Sequence, residues 1–160
     1  MLAISFIFVG RTKEEYFTKA QDKYIKRLRS FCVSRIIELP ERKLPGKPSA
    51  AQTDAALLIE AGEIMKNVPT GAFLIPMCVE GRQKSSENLA NLLLELPSGG
   101  ISKICFVIGG SFGLHDTVKN AGNLRLSLSE MTLPHSLARV VLLEQVYRAF
   151  SIISGSKYHK

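Results

Sequence analysis

The stretch ICFVIGGSFGLHD, Ile104 to Asp116, decides how the rest of the chain reads. An apolar run ends in Gly109 and Gly110, and Gly113 follows. A buried strand therefore gives way to backbone that either turns tightly or approaches a ligand closely. In parallel sheets ligands lie beyond the carboxyl ends of strands, which is where these glycines fall. Whether such a sheet exists depends on the flanking sequence.

Working outward, Ala3–Val9, Val33–Leu39, Phe73–Val79, Lys103–Ile108 and Leu124–Leu128 read as strands. Between them, Thr12 and Glu15 form a capping-box pattern opening a helix on which Phe17, Ala20, Tyr24, Leu28 and Phe31 share one face. Ser49 and Gln52 repeat the pattern for a helix reaching about Asn67, after the charged, proline-rich loop Pro40–Pro48. Further helices are expected over Ser86–Leu96, stopped by Pro97, over His115–Ala121, and over Pro134–Ile153. Strand and helix alternate throughout. This predicts a single α/β domain over residues 1–160, a mostly parallel sheet with helices on both faces.

A chain of 160 residues is long enough to bury a core without staples. Cys32, Cys78 and Cys105 are odd in number and far apart, with no histidine at ligand spacing, so no metal site and no disulfide framework is expected. The opening MLAISFIFVG lacks a basic leader and no run of eighteen apolar residues occurs, which predicts a cytoplasmic protein with no membrane partner. The net charge of +7 is uneven: residues 1–50 hold 11 Lys or Arg against 5 Asp or Glu, and residues 51–160 hold 10 against 9. Lys13, Lys19, Lys23, Lys26, Arg27 and Arg29 around the first helix, with Arg42, Lys43 and Lys47 in the following loop, suit a polyanion or, equally, a solvated face.

The last helix asks for burial on two sides. Leu142, Leu143, Val146, Ala149, Phe150 and Ile153 fill one arc, while Leu137, Val141 and Ile152 lie outside it. One sheet covers one side, so a second copy of the chain is expected on the other. Arg139 falls inside the apolar arc and must be paired or functional, because guanidinium keeps its charge. Glu144 and Arg148 are spaced for a surface pair.

The glycine turn admits rival readings. No G-x-x-x-x-G-K-[ST] is present, which removes the P-loop. A Rossmann-type nicotinamide oxidoreductase stays open because Glu130 follows about twenty residues later, although Ile108 stands at the first glycine position and the next helix is short. A plain turn with glycines chosen for positive φ is the third reading.

FVIGGSFGL, SEMTLPH, RVVLLEQVYRA, the terminal YHK and the opening FIFVGRTKEEYFTKAQDKYIKRL together resemble the RlmH family of SPOUT methyltransferases over the full length. The resemblance implies an α/β knot in which the C-terminal segment threads a trefoil around S-adenosylmethionine. That is a feature ordinary connection rules would not produce. It also implies a homodimer packed through the knot helices, and methylation of the N3 nitrogen of a pseudouridine in 23S ribosomal RNA on the ribosome. A non-catalytic ribosome-binding module that kept the fold is the competing reading from another class.

Carried over by position, the resemblance places cofactor contacts at Met77, Gly109, Leu128, Ser129, Glu130, Met131, Thr132 and Leu133. It places His135, Arg139, Arg148, Tyr158 and His159 at the active site, the tail closing over the partner's cofactor. His159 or His135 would accept the imide proton, and Arg139 or Arg148 would stabilise developing charge. Family members often carry leucine at the position of Met77 and an acid at that of Cys78; this chain departs from both.

Overall fold

A computed structural model describes residues 1–160. The strands are β1 (Ala3–Val9), β2 (Val33–Leu39), β3 (Phe73–Gln83), β4 (Lys103–Ile108) and β5 (Leu126–Ser127). They pair in the order β2-β1-β4-β3-β5, every pair parallel. The helices are α1 (Glu15–Leu28), α2 (Ala50–Asn67), α3 (Ser86–Ser98), α4 (Asp116–Ala121) and α5 (His135–Ile153), with a 3-10 turn over Lys157–His159.

Period-two alternation divides the core between the faces of the sheet. Ile4, Phe6 and Phe8 of β1, with Ile104, Phe106 and Ile108 of β4, meet Leu28 of α1, Leu89 and Leu93 of α3, and Leu142, Val146 and Phe150 of α5. The intervening Ile7, Val9, Cys105 and Val107 meet Ala61 and Ile64 of α2 and Val118 of α4. Central strands covered on both sides explain why β1 and β4 are apolar without a break. No helix is long and apolar enough to cross a membrane.

Three expectations are corrected. Thr12 does not cap α1; the helix opens after Glu14 with no side-chain cap, and the Thr12 hydroxyl accepts from Gln21 Nε2 at 2.9 Å and from Arg139 Nη1 at 3.0 Å. Tertiary partners outbid the local one. β3 runs four residues beyond Val79 because Arg82 and Gln83 pair with β5 after an irregularity that follows Met77, and β5 shrinks to Leu126–Ser127. Pro97 lies inside the last turn of α3 rather than beyond it. The box of Ser49 and Gln52 forms as predicted, with both reciprocal bonds present.

α5 buries Leu142, Leu143, Val146, Ala149 and Phe150, while Ile153, at its far end, stays 37% exposed. On the other side Leu137 is 37% exposed and Val141 half-buried, whereas Ile152, expected on that face, packs against the main core.

Candidate active site

β4 ends at Ile108, and the chain then crosses the tips of the sheet through Gly109–Gly113, closed by a bridge between Gly110 and Gly113. Gly113 has φ +78°, a conformation that favours glycine. Gly109 is required for proximity: a Cβ there would overlap the carbonyl of Gly113. Both glycines thus serve the tight turn, one through its positive φ and the other through close packing of main chain on main chain.

Beside this loop lies a cavity of about 630 Å³. Its walls come from three places: Met77–Glu80 of β3, Ile108–Gly110 with Ser111 and Leu114, and the segment from Leu126 to His135 between β5 and α5. Met77, Gly109, Leu128, Ser129, Met131, Thr132, Leu133 and His135 all line it. Glu130 does not, and is exposed. The segment folds back on itself locally, with Ser127 Oγ donating to the carbonyl of Ser129 at 2.9 Å and Met131 N–H donating to Ser129 Oγ at 3.0 Å.

Sequence reasoning missed part of the cavity wall. Cys78, Val79, Glu80 and Lys119 line it, and Lys119 Nζ meets Glu80 Oε1 at 2.6 Å. The ammonium's hydrogen bond holds the Glu80 carboxyl below the usual range. Burial, and then the Glu80 charge, push the Cys78 thiol up, so it is neutral here and is no stand-in for a carboxylate. The signal was the prolongation of β3, which needed its partner strand to become visible.

The walls mix apolar residues such as Met77, Leu128 and Leu133 with the small polar Ser111, Ser129 and Thr132, and the cavity's lysine is already neutralised by Glu80. Such a lining suits a nucleoside joined to an uncharged or zwitterionic group better than a pyrophosphate, which needs unpaired cations or a helix N-terminus. α4 opens only at Asp116, after His115 has capped it, so the glycine loop does not lead straight into a helix as a dinucleotide fingerprint does. The residues present fit S-adenosylmethionine.

Arg139 does not face this cavity. It is fully buried, with Nη2 donating to the carbonyl of Val9 at 2.7 Å, Nη1 donating to Thr12, and the guanidinium 5.0 Å from the centre of the Phe8 ring. Burial lowers its pKa while Glu38 and Glu41 oppose the shift, and guanidinium remains charged.

The remaining candidates gather at the opposite end of α5. Glu144 and Arg148 are half-buried rather than a surface pair: Arg148 Nε and Nη2 both donate to Glu144 Oε1, and the guanidinium lies 4.8 Å from the Tyr158 ring centre. Tyr158 O–H donates to the same Glu144 oxygen at 3.3 Å and packs edge-on to Tyr147. Arg27 stacks over Tyr24, Tyr147 and Tyr158, so one cation of the basic helix serves the tail. His159 Nε2 meets Glu87 Oε1 at 2.7 Å, and its Nδ1 is enclosed without a partner. His135 and Arg148 stand thirteen positions apart on α5, a rise of about 20 Å. Within one chain the structure thus makes two clusters, not one.

Residues 2–159 match the family described as "Predicted SPOUT methyltransferase", and the chain belongs to it. Relatives over the whole length carry the name ribosomal RNA large subunit methyltransferase H. The protein from Oenococcus oeni is 43% identical over 160 residues, covering all of both chains. That from Streptococcus equi subsp. zooepidemicus is 46% identical over 159 residues, 99% of this chain and 100% of that one. That from Bacillus pumilus is 44% identical over 157 residues, 98% and 99% of the two chains.

Among solved structures, a probable methylase family protein from Haemophilus influenzae superposes with a TM-score of 0.56 at 14% identity, over 98% of this chain and 70% of that one. A probable methyltransferase from Bordetella pertussis gives 0.55 at 14%, over 91% and 95%. The fold class is the SPOUT-type α/β knot, as the resemblance implied.

Proposed function

We propose that the protein methylates the N3 nitrogen of a pseudouridine in large-subunit ribosomal RNA, with S-adenosylmethionine as donor and a homodimer as the working unit. The observation that carries this reading is the cavity walled by Met77, Gly109, Leu128, Ser129 and Met131–Leu133, found in a chain akin throughout to ribosomal RNA methyltransferases.

When bound, the cofactor supplies a methyl group on a positively charged sulfur. Met77, the main chain at Gly109 and the Leu128–Leu133 segment would hold it, and fixed main chain orients without reorganising. The acceptor nitrogen must lose its proton. His135 stands at the cavity wall, and the histidine–carboxylate pairs of the chain involve His115 and His159, leaving its ring without one. We assign proton acceptance to His135; His159 Nδ1 becomes available only when the tail shifts.

A dimer resolves the distance between the clusters. Leu137 and Val141 offer α5 an apolar second face, and Phe112 and Met131 are exposed beside the cavity. Antiparallel packing of two such helices would bring one tail, with Arg148, Tyr158 and His159, to the other chain's cavity, where Arg148 stabilises charge on the base. Arg139, buried behind the site, acts through the position of α5.

The test is methyl transfer from labelled S-adenosylmethionine to ribosomes that lack the modification, read by mass spectrometry of the RNA. One methyl on a pseudouridine is expected. RNA binding without transfer would instead mark a non-catalytic ribosome-binding module.

A further inference from the structure

Glu41 lies in the loop after β2, seventy residues from the glycine turn, and no motif marks it. In the fold its Oε1 accepts the N–H of Ser111 at 2.7 Å, tying the loop to the turn that walls the cavity. The fit is close on two sides. A Cβ at Gly110 would come within 2.5 Å of Glu41 Oε1 and 2.7 Å of its Cδ, and one at Gly10 within 3.3 Å of Oε2. The absence of side chains at Gly10 and Gly110 is what lets the carboxylate reach the turn. Glu41 is itself anchored through its neighbour: Arg42 N–H donates to the buried Glu60 on α2 at 2.8 Å.

We propose that Glu41 is a positioning residue for the cofactor: by holding Ser111 it fixes Gly109–Gly113 in the shape the cofactor contacts. This rests on the cofactor reading above. A bond to a charged acceptor is stronger than one to a neutral group, and the alternative is a glycine-rich loop free to sample many conformations. Because the basic loop residues Arg42 and Lys43 adjoin Glu41, a substrate that moved them would move the cofactor wall as well.

The experiment compares Glu41→Ala, Glu41→Gln, Gly110→Ala and the double variant Glu41→Ala with Gly110→Ala, all as full chains. Hydrogen exchange is read at Ser111 without ligand, and affinity is read by calorimetry with S-adenosylhomocysteine. Glu41→Ala should speed exchange at Ser111 by about ten-fold or more and weaken binding by a similar factor. Glu41→Gln, which still offers an amide oxygen, should recover part of both. Gly110→Ala should resemble Glu41→Ala, because its methyl displaces the carboxylate. The double variant should be no worse than Glu41→Ala alone, since the atoms that would clash are gone.

Unchanged exchange in Glu41→Ala, or additive losses in the double variant, would overturn the proposal. Exchange that changes across the variants as expected, in a protein whose wild type ignores the probe, would overturn the cofactor reading instead and leave Glu41 as a latch on the turn.

Discussion

Arg139 Nη2 donates to the carbonyl of Val9 at 2.7 Å, joining a residue on the last helix to the final residue of the first strand. Thr12 and Phe8 complete the enclosure. One charged side chain therefore sets where α5 begins relative to the sheet, and with it the Leu128–His135 segment that walls the cavity.

Replacing Arg139 by alanine should cost about 3–5 kcal/mol, combining a large void with an unpaired buried carbonyl. Arg139→Lys should recover only part, because one ammonium does not reproduce the planar fork that serves Val9 and Thr12 together. Denaturant unfolding at fixed protein concentration checks both.

Gly109→Ala should abolish cofactor binding while leaving a folded protein. The added methyl meets the carbonyl of Gly113, so the turn must open at the wall of the proposed cofactor site. Circular dichroism with calorimetry separates this from unfolding; unaltered affinity would remove the turn from the binding site.

The tail carries a pH signature. Burial first, then hydrogen bonding with Tyr24 that favours the protonated form, and the charge of Glu144, push the Tyr158 hydroxyl up to about 12 from 10.0. Between those values the unfolded chain loses the proton while the folded one keeps it, so docking of the tail is fully favourable below about pH 10 and weakens as pH rises toward 12. Tyr158→Phe should remove that dependence, read by proteolytic release of the last residues across the alkaline range.

Thiol chemistry offers a probe of the cavity. Burial raises Cys32 to about 11 and Cys105 to about 12, and both are buried, whereas Cys78 is half-buried at the cavity wall. A maleimide should label Cys78 first, and S-adenosylhomocysteine should slow that reaction. Labelling of Cys32 or Cys105 ahead of it would contradict the fold.

Composite sites can be tested by complementation. Mixing a Gly109→Ala chain with an Arg148→Ala chain should restore methyl transfer if each tail completes the other chain's cavity, because one of the two sites in a mixed dimer is then whole. Mixtures no more active than the parents would place both clusters in separate roles.

Much of this was legible because β1 and β4 are covered on both faces: uninterrupted apolar runs mark such strands whatever surrounds them. Arg139 announced itself as a charge among leucines. What stayed hidden depended on partners distant in sequence. Thr12 fits a helix-capping pattern, yet its hydroxyl goes to Gln21 and to Arg139, 127 residues away. Glu41 resembles any loop acid until Ser111 arrives beside it, and the end of β3 has no pattern until β5 pairs with it. No pattern in the last residues marks their docking on their own chain, where Tyr147, Arg148 and Glu144 give Tyr158 a seat.

The most direct measurement is a calorimetric titration of the wild-type protein, run in parallel with S-adenosylhomocysteine and with NAD. Saturable binding of the first at one molecule per chain, lost in Gly109→Ala, with no heat from the second, is the predicted result. Binding of NAD, or affinity for S-adenosylhomocysteine that survives Gly109→Ala, would contradict the account.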